Sequence, residues 1–295
     1  MSALVTLDIF SGRPNPRWFL DDAATAELRD RIYRKPSIIS AAPPGVAGLG
    51  YRGLQVRFET EGGPIYVKGG VVETLAGSPN LSDSGREIEK FLIETMPKGG
   101  QDAGLAMTST VYGLVREHIQ KDLATTVDLS KLIQIPWPPI NGNCPPNVAA
   151  CAPPYEPAMW NFSPTQPNNN CYNYANDRVT NTFAQPGRYH SAQYTALTCA
   201  SVQPAAVADG LVAAANFTQA LADGWYVALV IWPNVDFHWY RQDKVGCWSH
   251  KPGGTPVKNT DDSNKPITDP KTANRGGYTQ FCSYMITRPC KVRIK

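Results

Sequence analysis

All seven cysteines of the chain lie after residue 143: Cys144, Cys151, Cys171, Cys199, Cys247, Cys282 and Cys290. A crosslinked framework holds the chain ends it joins, so the two halves are under different constraints. The first folds on packing alone, and the second can be stapled. No C-x-x-C pair occurs, which argues against a zinc ribbon or a thioredoxin-type redox motif. Cys144/Cys151 and Cys282/Cys290 sit among Pro, Asn and Ser, where disulfides often pin loops. An odd count lets six pair and leaves one thiol over, but the connectivity is not legible from spacing. Oxidised cysteines place a protein outside the cytosol. The start, Met-Ser-Ala-Leu-Val-Thr-Leu-Asp, lacks a basic region followed by an apolar one, so no classical signal peptide is visible. The expectation is a secreted or extracellular protein without a classical leader.

The 295 residues suffice for two domains. Hydrophobic residues at 42% against 18% charged predict a folded chain. The longest apolar run, around Trp225–Pro233, is too short for a membrane span. The net charge of +3 hides an asymmetry. Residues 241–295 carry eleven Lys and Arg against four Asp and Glu, whereas residues 1–140 carry fifteen against sixteen. That basic end, with its tail Lys291-Val-Arg-Ile-Lys295, reads either as a solvated loop face or as an attraction for an acidic glycan or polymer. Its cations lack the helical stripe and aromatic interleaving of a nucleic-acid reader, so nucleic acid is not an expected partner.

Element patterns predict an α+β protein. Leu4–Phe10 reads as a strand and Ser11–Pro16 as a turn, and Asp21 or Asp22 can cap a helix over Ala23–Arg34. Leu49–Glu59 and Ile65–Glu73 read as strands around the turn Glu61–Pro64. Helices follow over Asp83–Met96 and from about Thr110 to Leu123, with His118 on a helix surface. Residues 1–133 form an α+β domain of unknown role. Residues 134–160 are proline-dense, a linker or wrapping loop. In residues 161–295 a polar cap precedes a short helix at Cys171, an Ala-rich helix spans Pro204–Leu221, and Trp225–Trp232 is a buried strand. Phe237–Gln242 and Cys247–His250 make a hairpin, and Phe281–Thr287 is a last strand.

A nucleophilic cysteine needs a stabilised thiolate and a nearby base. Cys171 follows three asparagines and opens a helix. His238 comes about 65 residues later on a strand, sharing a face with Tyr240. His250 follows after a further dozen, and the hairpin returns it beside His238, where it can accept the ring proton and hold the tautomer. Element order and spacing resemble the papain-like cysteine hydrolases of the NlpC/P60 and CHAP type over roughly residues 160–290. Asn170-Cys-Tyr-Asn-Tyr-Ala175 resembles a CHAP helix start, although Asn170 stands where an NlpC/P60 enzyme has Asp, and Trp-Tyr-Arg follows His238 instead of Val-Gly-Ile. The resemblance implies a papain-like domain in which Cys171 attacks, His238 is general base and His250 orients it. Asp236 and Asp269 are rival orienters. Gln166 or Asn169 supplies an oxyanion donor, and Tyr240 and Trp248 line a substrate groove. It implies amide hydrolysis of a peptide, peptidoglycan or protein substrate, with transferase and deamidase outcomes open and an effector or toxin role compatible. No metal and no organic cofactor is expected.

A reading of another class stands beside it. The cysteines are all structural, and the chain is a secreted, disulfide-stapled binding protein for an acidic glycan or cell surface, without catalysis. The basic end and the aromatic residues then contact that glycan or surface, and the seventh cysteine pairs between chains.

Overall fold

The computed structural model describes residues 2–38, 48–59, 63–74, 80–97, 108–124, 144, 145 and 147–295. Part of the turn expected at Glu61–Pro64, and residues 134–143 of the proline-dense segment, lie outside the described residues. The chain divides into two compact units, Met1–Ile9 with Asn15–Trp137, and Phe10–Pro14 with Pro138–Lys295. Five residues expected in the first domain therefore belong to the second unit.

The first unit is built on a seven-stranded antiparallel sheet. Its strands are β1 (Ala3–Asp8), β2 (Arg17–Leu20), β3 (Ser37–Ile38), β4 (Gly53–Phe58), β5 (Ile65–Lys68), β6 (Val71–Glu73) and β7 (Asn80–Ser82), in the order β2-β1-β4-β5-β6-β7-β3. β1 alternates strictly, burying Ala3, Val5 and Leu7, the period of a half-buried strand. The strand expected over Ile65–Glu73 is two, because Gly69 and Gly70 both take positive φ and turn the chain. Helix α1 (Asp22–Tyr33) starts where Asp21 accepts the Ala24 N–H at 2.7 Å. Helices α2 (Glu87–Glu94) and α3 (Ser109–Leu123) bury Ile88, Leu92 and Ile93, and Val115 and Ile119. Glu89 is fully buried and held by Arg86 and by the Tyr51 hydroxyl at 2.6 Å. His118 is half-buried against Gly50, not on an open helix surface.

The second unit packs short helices on a five-stranded antiparallel sheet. Its helices are α4 (Pro157–Trp160), α5 (Thr165–Asn168), α6 (Cys171–Ala175) and α7 (Cys199–Ala208). Its strands are β8 (Val212–Ala214), β9 (Trp225–Trp232), β10 (Asp236–Gln242), β11 (Trp248–His250) and β12 (Gln280–Thr287), in the order β11-β10-β9-β12-β8. β9 is central and buried along its whole length. Val227, Leu229 and Ile231, with Phe237 and Trp239 of β10, meet Cys171, Tyr172, Val202 and Ala206 in the core. The fold class is α+β, as the element patterns predict.

One helix differs from expectation. The Ala-rich helix runs over Cys199–Ala208 instead of Pro204–Leu221. Two features start it early: Thr198 takes an extended backbone at the N-cap, and the Ser201 hydroxyl accepts the N–H groups of Thr195 and Ala196. Gly210, at φ 104°, ends it, and Val212–Ala214 pair with β12 instead. Disulfides join Cys144 to Cys247 and Cys199 to Cys282. Cys151 and Cys290 are exposed thiols, and Cys171 is a buried one.

Candidate functional site

β10 places Asp236, His238 and Tyr240 on one face by its period of two, and the turn at Gly246 returns β11 so that Tyr240 pairs with His250. His238 Nε2 and His250 Nδ1 are 2.9 Å apart, and His250 Nε2 is 3.1 Å from the Thr260 carbonyl oxygen. A carbonyl only accepts, so His250 Nε2 carries a hydrogen. A neutral His250 ring then accepts at Nδ1, and His238 donates from Nε2. Tyr240 stacks on His250 at 27°, and Tyr240 and Tyr278 set their rings edge-on to His238. Both histidines are fully buried.

Cys171 begins α6. Asn170 caps this helix, accepting the N–H groups of Tyr172 and Asn173, while Asn173 accepts the N–H of Asn170 in return. The asparagine run is thus capping chemistry. Cys171 has no exposure. Burial pushes its thiol well above the usual range, and the negative charge of Asp236 adds to the shift. Backbone N–H groups of Trp239 and Tyr172 and the charge of Lys251 oppose it without prevailing. A nucleophile needs an accessible thiolate; this group is an enclosed, protonated thiol packed among Phe237 and Trp239.

The other expected site residues have structural partners. Asp236 turns away from an orienting role. Its carboxylate accepts backbone N–H groups of Ser11, Gly12 and Arg13 and the Tyr278 hydroxyl. Asp269 accepts the Tyr284 hydroxyl at 2.6 Å and the Lys271 N–H, within the loop that leads to β12. Asn169 accepts the N–H groups of Thr180 and Asn181 and donates to the Thr165 carbonyl, so its amide is consumed by the loop. The backbone carbonyl oxygens of Gln166, Asn169 and Gly253 accept hydrogen bonds from the fully buried Lys251 side chain, so Gln166 is engaged there through its main chain. Trp248 is buried against Phe217 and Tyr284, and Tyr240 is buried on His250, so neither lines a groove.

Two clefts are lined by other residues. A cleft of about 380 Å³ in the second unit is lined by Arg178, Val179, Thr180, Pro289, Val292, Arg293 and Ile294. A smaller one in the first unit, about 210 Å³, borders Leu4, Arg17, Trp18 and Phe19. Neither is lined by Cys171, His238 or His250. Among the described residues no cluster of His, Cys, Asp and Glu suits a metal ion, and no helix is long and apolar enough to cross a membrane. Of the two arginines of the larger cleft, Arg293 belongs to the basic tail that the sequence marks, whereas nothing local in the sequence joins Arg178 to it.

No protein-family model matches the chain, and no solved structure does. A curated protein does: Insoluble matrix shell protein 1 of Ruditapes philippinarum is 45% identical over 142 residues, 47% of this chain and 93% of that protein. That kinship, to a protein named for an insoluble matrix, overturns the reading as an amide hydrolase, effector or toxin with a peptide substrate. The enclosed thiol supplies the physical reason. With the identity spanning nearly the whole of that relative, the chain belongs to the family of insoluble matrix shell protein 1.

Proposed function

We propose that the chain is a non-catalytic structural protein of an extracellular matrix, stapled by disulfides and acting through its surface. The 45% identity to Insoluble matrix shell protein 1 carries this reading. Two features support it. The disulfides Cys144–Cys247 and Cys199–Cys282 belong to a protein made for an oxidising compartment. The chemistry-bearing side chains Cys171, His238 and His250 are fully buried and pack in the interior. Its partners are then the components of a matrix.

Fractionation of the tissue that makes the protein is the test. Peptides of this chain are expected in the extracellular material that resists detergent and salt extraction. Recovery mainly in the soluble cell extract overturns the proposal.

A further inference from the structure

The last eight residues, Arg288 to Lys295, hold four basic side chains and no Asp or Glu. From Lys291 onward burial alternates. Lys291, Arg293 and Lys295 are exposed, and Val292 and Ile294 are buried. That period of two sets the cations on one outer face and anchors the segment by its apolar side chains. Two backbone bonds fix it further: Arg293 N–H donates to the Asp209 carbonyl, and Gln185 N–H to the Lys295 carbonyl. Lys291 sits in a turn where the N–H groups of Lys291 and Val292 reach the Arg288 carbonyl, and the exposed side chains of Lys291, Arg293 and Lys295 together make a short ladder of positive charge.

Across the adjoining cleft stands Arg178. Its Nη2 donates to the carbonyl of Pro289, another lining residue, and the guanidinium has further N–H groups that can meet a ligand. Val292, Ile294 and Pro289 make an apolar floor, and no carboxylate is among the lining residues. Of the last four cations only Arg288 has an ion-pair partner among the described residues, Asp223. The Asp209 carboxylate, nearest in sequence contact, is turned inward to Tyr172 and Gly187.

We propose that this face, the ladder Lys291, Arg293 and Lys295 with Arg178 across the cleft, binds an acidic polysaccharide through its carboxylate or sulfate groups. Guanidinium forks suit such oxyanions. At about 380 Å³ the cleft is of the size that holds a small ligand. A sugar ring can lay its C–H face on the floor while its oxyanion meets the arginines. Acidic peptides are also recognised by arginine clusters; the apolar floor, which suits a sugar face, favours the polysaccharide, and the poly-aspartate arm of the test separates the two. The proposal rests on the matrix reading and names what in a matrix this surface would hold.

The test is binding of the full chain to chondroitin sulfate, with neutral dextran and poly-aspartate in parallel, at low and high salt. Chondroitin sulfate should bind, lose affinity steeply with salt and outcompete both other polymers. Arg178→Gln with Arg293→Gln should weaken it by about tenfold or more, since each lost contact also removes a released counterion. Lys244→Gln with Lys265→Gln, the same charge change on other loops, should leave it unaltered. Arg178 also holds Pro289, so Arg293→Gln with Lys295→Gln provides a second variant that spares that bond, and it should weaken binding in the same way. Variants that bind like the parent overturn the site, as does equal binding to dextran. Preference for poly-aspartate replaces the polysaccharide with an acidic protein and also overturns it. A chain that fails to bind yet is recovered in insoluble extracellular material leaves the matrix reading standing, so the two failures are distinguishable.

Discussion

Ser11 and Asp236, 225 positions apart, are joined by a hydrogen bond of 2.5 Å from backbone N–H to carboxylate. The same carboxylate takes the N–H groups of Gly12 and Arg13, and Arg13 Nη1 donates to the Val235 carbonyl at 2.8 Å. Gly12 in turn gives its carbonyl to the side-chain amides of Asn170 and Gln185. Residues 10–14 are thus held within the second unit by a buried carboxylate and two buried amides. Asp236→Ala removes four hydrogen-bond partners at once and leaves buried donors unpaired. Chemical denaturation should show a loss of about 1–3 kcal/mol for Asp236→Asn, with Asp236→Ala losing more. Unchanged stability in both would show that the anchor contributes nothing.

The approach at Gly12 is as close as a residue without Cβ allows. A Cβ built there would lie 2.4 Å from the Phe237 ring. Gly12→Ala is expected to lower stability by about 1–3 kcal/mol through overpacking. In a Phe237→Leu background the same change should cost measurably less, because the two sites share the clash. Additive losses in the double mutant would refute the contact as the cause.

Arg241 is fully buried, stacked over Tyr174 and bonded to Asp243, Asp177, the Tyr174 hydroxyl and the Pro154 carbonyl. Arg241→Ala strands the Asp243 carboxylate in the interior, an error that typically costs about 3–5 kcal/mol. Arg241→Lys should recover little of it, since an ammonium cannot span four partners set around a planar fork. Full rescue by lysine would show that charge alone matters there.

Burial raises the carboxyls of Asp209 and Asp243 to about 6 each. In the unfolded chain both titrate near 4. The folded state therefore binds these protons more tightly. Its gain is complete below about pH 4 and is lost as pH rises through about 6. From pH 4 to pH 7 the denaturation midpoint of the parent should fall relative to that of Asp209→Asn, which does not titrate. A difference independent of pH would mean that Asp209 is not raised.

The thiols should react in two classes. Exposed Cys151 and Cys290 are expected to take iodoacetamide in the native protein at mildly alkaline pH, whereas Cys171 should label only after unfolding. Fast labelling of native Cys171 near pH 6 would point to an activated thiolate and contradict its enclosure.

The features legible from the sequence are those governed by neighbours along the chain. Alternation marks β1, the unbroken apolar run marks β9 as a buried strand, the Asp21-Asp22 pair and the asparagines before Cys171 announce their helices, and the turn between β10 and β11 returns His250 toward His238. Each follows from a side-chain period or a local hydrogen bond, which need no knowledge of distant residues. Tertiary structure alone decided which cysteines pair, across 103 and 83 positions, and that residues 10–14 join the second unit. It alone also decided what Cys171 is. A cysteine at a helix start has the same local pattern whether it is a nucleophile or a packed thiol. The difference is solvation, and solvation is set by Phe237, Trp239 and the rest of the core that closes over it.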